Sequence, residues 1–220
     1  MSLRLAAFRA QAVSFAHERT RTRAGREARR RQILESAVRV FARHGFSAAR
    51  IRDIAAGAGV AEGTIYLYFE GKDDLLLTAF RDTVHDFCDS IHDVLATDLP
   101  FVERVERIIR LQFERIEADP PLAAVLLLES RQTSTFYSGA VRDVLRAYAA
   151  AIDDLLTSGV ASGSIRADAD LPLARRMLIG ALEEIELEWL ISERSHPLAP
   201  TADRVAEAFY HGLAPAAQPS

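Results

Sequence analysis

Residues 46–72 read FSAARIRDIAAGAGVAEGTIYLYFEGK, and this stretch decides the fold. Ile51, Ile54, Ala55 and Ala58 recur at helical spacing and predict a short helix over 51–58, stopped by Gly59. A second short helix is expected over 62–69, closed by the Glu70-Gly71 break. Two short helices joined by a glycine-containing turn are the helix-turn-helix pattern. In the second helix Ile65 and Phe69, four apart, face inward, which leaves Gly63, Thr64, Tyr66, Leu67 and Tyr68 outward. Small residues at its start allow close approach to a major groove. Thr64 can reach a base or a phosphate, and the tyrosines offer hydroxyls to phosphates and rings to sugars or thymine methyls. Lys72, at the start of the next helix, is placed to clamp a phosphate together with the helix N-terminus.

Upstream, Ile33, Ala37, Val40 and Phe41 mark a first helix from Arg26, with Gly45 as its C-terminal cap. Residues 1–25 form a basic stretch: nine arginines fall within residues 1–32, against Glu18 and Glu27. It is read as a mobile arm, either adding phosphate or minor-groove contacts or remaining a solvated tail. Downstream, a long helix opens on Asp73 and Asp74, where negative charge suits the helix dipole, and ends at Asp98-Leu99-Pro100. Helices over 101–118, 122–130, 141–159, from Asp170 to His196-Pro197, and from Thr201 to Gly212 complete the chain. The expected architecture is all-α with about nine helices and no internal repeats. A helix-turn-helix domain occupies 26–72, and a helical ligand-binding and dimerisation bundle occupies 73–220.

The 220 residues are 49% hydrophobic, which suffices for a substantial core and excludes a disordered chain. Cys88 alone cannot build a disulfide scaffold, so a reducing, cytoplasmic setting is the default. No apolar run is long enough to span a bilayer, so no membrane partner is expected. The net charge of −4 conceals a split. Residues 1–80 hold 14 Arg and Lys against 8 Asp and Glu, a balance of +6; residues 81–220 hold 13 against 23, a balance of −10. A basic front on an acidic body orients one end toward a polyanion. Glu183, Glu184, Glu186 and Glu188 read as an acidic patch facing away from it.

The helix-turn-helix segment resembles the DNA-binding domain of the TetR family of bacterial repressors. Phe41, Gly45, Phe46, Asp53, Ile54, Ala55, Ala58, Gly59, Val60, Gly63, Tyr66, Tyr68, Phe69 and Lys72 carry the resemblance, and the nine-helix layout extends it over the whole chain. Ala61 departs from the usual Ser cap, at a cost of about 1 kcal/mol. Ala49-Arg50 replaces a small hydroxyl pair, which shifts expected phosphate contacts onto Arg50 and Arg52; a solvated helix face is the other reading of these two. The resemblance implies a homodimer on a palindromic double-stranded DNA operator. The expected interface is on the last long helices, where Gly180 and Ala181 permit close approach and Met177, Ile185 and Trp189 supply apolar surface. Burial within one subunit is the alternative for these side chains.

The C-terminal half, including Leu128-Glu129-Ser130-Arg131-Gln132, resembles the FadR subgroup of TetR-type repressors of fatty-acid degradation. That resemblance implies a long-chain acyl-CoA as effector and no cofactor. An acyl chain needs an apolar slot, for which Phe87, Phe113, Leu126, Leu127, Phe136, Tyr148 and Trp189 are candidates, with plain core the alternative for each aromatic. Arg131 is the first candidate for the CoA phosphates, ahead of Arg107, Arg110 and Arg142, unless it pairs with Glu129. A repressor of an efflux pump answering to hydrophobic drugs is the alternative within the family, and an interaction module that never binds DNA lies outside it. His85, Asp89 and His92 have a spacing compatible with a metal, but charged residues on a long helix are usually its wet face. An enzyme is disfavoured: the sequence has no Gly-x-Ser-x-Gly elbow, phosphate-binding glycine loop or His-Glu-x-x-His pair.

Overall fold

The computed structural model describes residues 2–129, 139–192 and 196–215, with side chains from residue 23 onward except that of Ala140. Among these residues the chain is all-helical. The helices are α1 (Ser2–His44), α2 (Ile51–Gly57), α3 (Glu62–Ile65), α4 (Lys72–Leu95), α5 (Phe101–Ala118), α6 (Pro120–Ala124), α7 (Gly139–Ala161), α8 (Leu171–Ile191) and α9 (Ala202–His211). Helix α1 begins at Ser2 and not at Arg26, so the stretch expected as an arm is helical. Its composition explains this: it is rich in Ala and Arg, contains no proline, and has only Gly25 to weaken it.

Gly45 and Gly59 adopt φ of 73° and 63°, the left-handed turns that end α1 and separate α2 from α3. Helix α3 is a single turn, shorter than the 62–69 helix expected. Beyond it the chain tightens, with Leu67 N–H bonding Thr64 O and Tyr68 N–H bonding Ile65 O. Ala61 supplies no side-chain cap and Gly63 is a poor helix former, so nothing local sustains a longer helix. Pro120 and Pro121 end α5 and also open α6, where Asp119 accepts the Leu122 N–H at 3.1 Å. From Val125 to Glu129 the helix widens into a π turn.

Two main cores result. In the head, Ile33, Phe41, Ile54, Ile65 and Phe69 pack with Leu75 of α4. In the body, Ile91, Ile108, Phe113, Ile152, Leu155 and Trp189 form the larger core. Helix α4 belongs to both, and α7 packs along its length. The π turn also serves both sides: Val125 is fully buried in the head core, while the next residue, Leu126, packs with Phe80, Val141 and Val144. Asp170 caps α8 as expected, accepting the Leu173 N–H at 3.0 Å.

Lys72 is not free to clamp phosphate. Its Nζ donates to Phe46 O at 2.8 Å, Ser47 O at 3.0 Å and Ala49 O at 3.4 Å, and lies 4.7 Å from the Phe46 ring centre. All three ammonium protons are thus directed at the α1–α2 turn, whose carbonyls have no helical partner. Lys72→Met keeps the stem and removes these bonds. It should destabilise the protein by about 2 kcal/mol in urea unfolding. An unchanged midpoint combined with lost operator binding would return Lys72 to the phosphate role.

Candidate DNA interface and ligand cleft

The head exposes the surface the sequence anticipates. Ile65 and Phe69 are buried, whereas Tyr66 and Leu67 are 57% and 70% exposed. Gly63 is exposed with open space around its Cα, and Thr64 is half-buried beside it. Tyr68 is half-buried, with the Arg26 guanidinium 5.8 Å from its ring centre. Arg50 flanks α2 at its N-terminus and is exposed; Arg52 is also exposed, with its Nε 3.5 Å from Asp53. The face therefore combines α3, the turn after it and the start of α2. That is the geometry by which a helix-turn-helix enters a groove while flanking groups meet phosphates.

Helix α2 is tied to α1 by the buried Ser36, whose Oγ donates to Ile54 O at 2.8 Å. Behind the face, Glu129 Oε2 accepts the Phe46 N–H at 2.8 Å, so the peptide at the head's first turn is held by a residue from the π turn. The sequence suggests Arg131 for the CoA phosphates, with pairing to Glu129 or a neighbouring helix as the alternative. Arg131, like Phe136, lies outside the described residues.

The body contains an apolar cleft of about 150 Å³ between α4, α5, α7, α8 and the π turn. Of the residues expected to line it, Phe87, Leu126, Leu127 and Tyr148 do so. Phe113 does not: it is fully buried in the core, because Gln112, Arg115 and Ile116 take the cleft-facing side of α5. Trp189 is also core; its Nε1 donates to His196 O at 2.8 Å, beneath the loop after α8. Phe80, Val84 and Leu145 complete the apolar lining. These were unmarked in the sequence because their spacing equals that of ordinary core positions.

The cleft has a polar side that sequence reading missed. Gln112, Arg115, Glu183 and Glu186 line it. Arg115 donates to Ser90 Oγ at 2.7 Å and to Asp86 O at 3.2 Å, and its guanidinium lies 5.6 Å from the Phe87 ring centre. A neighbouring cavity of about 230 Å³ shares Thr83, Arg115, Ile116 and Leu126 with it. Glu186, expected on a surface acidic patch with Glu183, Glu184 and Glu188, is instead buried and accepts Gln112 Nε2–H at 2.5 Å. Burial pushes its carboxyl up to about 8, against the lowering effect of the Gln112 bond and with a smaller upward push from Glu183. Burial, with Glu186 and Glu183 nearby, likewise raises the Tyr148 phenol. Arg110 is engaged by Glu106 at 2.6 Å and by Ala199 O; Arg107 and Arg142 are exposed and away from the cleft lining.

Elsewhere on α8, Leu173, Met177, Gly180 and Ala181 are exposed, with Gly180 toward Leu127 and Glu183, while Ile185 is half-buried against the core. A groove between α8 and α9 adds Val205 and Phe209 beside Met177 and Ala181. Trp189 is withdrawn from the expected interface by its burial. Among the described residues no group of three or more His, Cys, Asp or Glu side chains can hold a metal; His92 lies 3.9 Å from Asp154. Among them also, no helix is long and apolar enough to cross a membrane.

The raised Glu186 pKa makes stability pH-dependent. The unfolded carboxyl ionises near its ordinary value of 4.5 and the folded one near 8. Its stabilising effect is therefore complete below pH 4.5 and lost as pH rises through about 8, with a slope of at most about 1.4 kcal/mol per pH unit. Between pH 5.5 and 8.5 the denaturation midpoint should fall more in the wild type than in Glu186→Gln. Parallel pH profiles would place the Glu186 carboxylate in solvent.

Family models match both halves. The model described as bacterial regulatory proteins of the tetR family covers residues 33–79, and that of the YsiA-like protein C-terminal region covers 80–212. The fatty acid metabolism regulator protein of Bacillus subtilis strain 168 is 31% identical over 182 residues, 83% of this chain and 94% of its own. Among solved structures, the fatty acid degradation regulator FadR from Bacillus halodurans is 34% identical with a TM-score of 0.78, covering 83% of this chain and 98% of that one. FadR from Bacillus subtilis in complex with stearoyl-CoA is 32% identical with a TM-score of 0.77 and the same coverage. With a helix-turn-helix face on the head and a largely apolar cleft in the body, the chain belongs to the TetR family of bacterial regulatory proteins and is a FadR-like, DNA-binding transcriptional regulator.

Proposed function

We propose that the protein represses genes of fatty-acid degradation, binds a palindromic operator as a homodimer, and is released by long-chain acyl-CoA. One observation carries this reading. The five residues Val125–Glu129 line the cleft through Leu126 and Leu127 and hold the Phe46 peptide of the head through Glu129. A ligand that displaces this segment acts directly on the turn that positions α2 and α3. The cleft's 150 Å³ is below the roughly 300–1,000 Å³ of an occupied ligand pocket, so a long chain enters only by moving a wall. The π turn, with one extra residue per turn, is the wall with an alternative packing available. Support for the acyl-CoA class comes from the relative whose structure contains stearoyl-CoA.

On the operator, Thr64, Tyr66, Leu67 and Tyr68 present the groove-facing surface, with the Gly63 backbone close to the DNA and Arg50 and Arg52 on phosphates. Arg131, two residues past Glu129, contacts the CoA phosphates as the ligand leaves the cleft. The exposed residues of α8 with the face of α9 form the dimer contact, which places the basic heads side by side for a two-fold site. The domain limits accord with these roles: 26–72 reads DNA and 73–220 senses ligand and dimerises, while residues 1–25 lend the DNA end additional positive charge.

A mobility-shift assay on promoter fragments flanking the gene tests the reading. A salt-sensitive complex should form and dissociate on addition of long-chain acyl-CoA at about micromolar concentration. Dissociation by hydrophobic drugs but not acyl-CoA would favour an efflux regulator. Arg131→Ala should leave operator binding intact and raise the acyl-CoA needed for release about tenfold. Met177→Glu, which puts a charge in the proposed dimer contact, should give a monomer in sedimentation and weaken operator binding more than tenfold. A Met177→Glu protein that stays dimeric would move the interface elsewhere.

A further inference from the structure

This inference rests on the acyl-CoA reading and concerns which part of the ligand the cleft recognises. Tyr148 Oη donates to Gln112 Oε1 at 3.1 Å, and Gln112 Nε2 donates to Glu186 Oε1 at 2.5 Å. The three residues come from α7, α5 and α8, and all line the cleft opposite Phe80 and Leu126. Polar groups in an apolar pocket cost free energy unless they are hydrogen-bonded, and a pocket for hydrocarbon alone gains more from leucine at the same positions.

The direction of the bonds specifies the partner. The Gln112 carbonyl is used by Tyr148 and one of its N–H groups by Glu186, which leaves the second N–H. Burial keeps the Glu186 proton near neutral pH, so its second oxygen is also a donor. Arg115, one turn further along α5, adds positive charge to the same lining, and Glu183 is the other charged group there. Two unspent donors call for an acceptor on the ligand. At the junction of chain and head an acyl thioester offers its carbonyl oxygen; an alkyl thioether of equal length offers nothing.

We propose that Gln112 and Glu186, oriented by Tyr148, form a carbonyl-recognition site for the thioester oxygen, which lets the cleft distinguish acyl-CoA from an alkyl chain of the same length.

Calorimetric titration of the full chain with palmitoyl-CoA and with its thioether analogue, S-hexadecyl-CoA, tests this. The wild type should bind palmitoyl-CoA about tenfold more tightly, the value of one well-made hydrogen bond. Gln112→Leu and Glu186→Leu should abolish the preference, so that palmitoyl-CoA and the thioether bind each variant with equal affinity. Glu186→Gln, whose amide can donate in place of the acid, should keep the preference, and Tyr148→Phe should reduce it about threefold. These last two variants carry the test if a leucine variant does not fold. Equal affinity for the two ligands in the wild type, or leucine variants that retain the wild-type ratio, would overturn the carbonyl site while the acyl-CoA reading stands. Binding of neither ligand overturns that reading and the carbonyl site with it.

Discussion

The peptide of Phe46 is held from both sides: Glu129 accepts its N–H, and Lys72 donates to its carbonyl. The placement of α2 and α3 depends on this short stretch of backbone, because the turn from α1 into α2 sets where both helices begin. A helix end leaves unsatisfied carbonyls, and here an ammonium from the next long helix satisfies three at once. Charge-assisted bonds of this kind are strong and short-ranged, so they define a position sharply and are lost entirely when a partner moves. The turn is thereby tied to α4 through Lys72 and to the π turn through Glu129.

Helix α4 is common to both cores, and the Val125–Glu129 turn also reaches both sides, with Val125 and Glu129 at the head and Leu126 and Leu127 at the cleft. Val125 in the head core and Leu126 at the cleft are adjacent in sequence, so motion at one is felt at the other over a single peptide unit.

The cleft itself is less oily than its aromatic content suggests. Its apolar wall is made by α4, the π turn and α7, while α5 and α8 bring Gln112, Arg115, Glu183 and Glu186 to the same space. Burial holds the Glu186 carboxyl of this lining above its normal range, which ties the stability of the protein to a side chain of the cleft.

The sequence by itself determined the helical class, the order of elements and which side of the helix-turn-helix segment is turned outward. Local rules govern those: helical spacing, Gly45 and Gly59 at positive φ, the Asp170 cap, and the four-residue separation of Ile65 and Phe69. It also marked Phe87, Leu126, Leu127 and Tyr148 for the cleft. It could not separate them from Phe113 and Trp189, because an apolar side chain carries the same pattern whether it faces a cavity or the core. Glu186 looked like surface among three neighbouring glutamates, and Lys72 looked like a phosphate clamp beside a helix N-terminus. Only the tertiary structure decided these cases. Whether a charge is buried, and which carbonyls lie within reach of an ammonium, depends on residues that are 23 to 74 positions away along the chain.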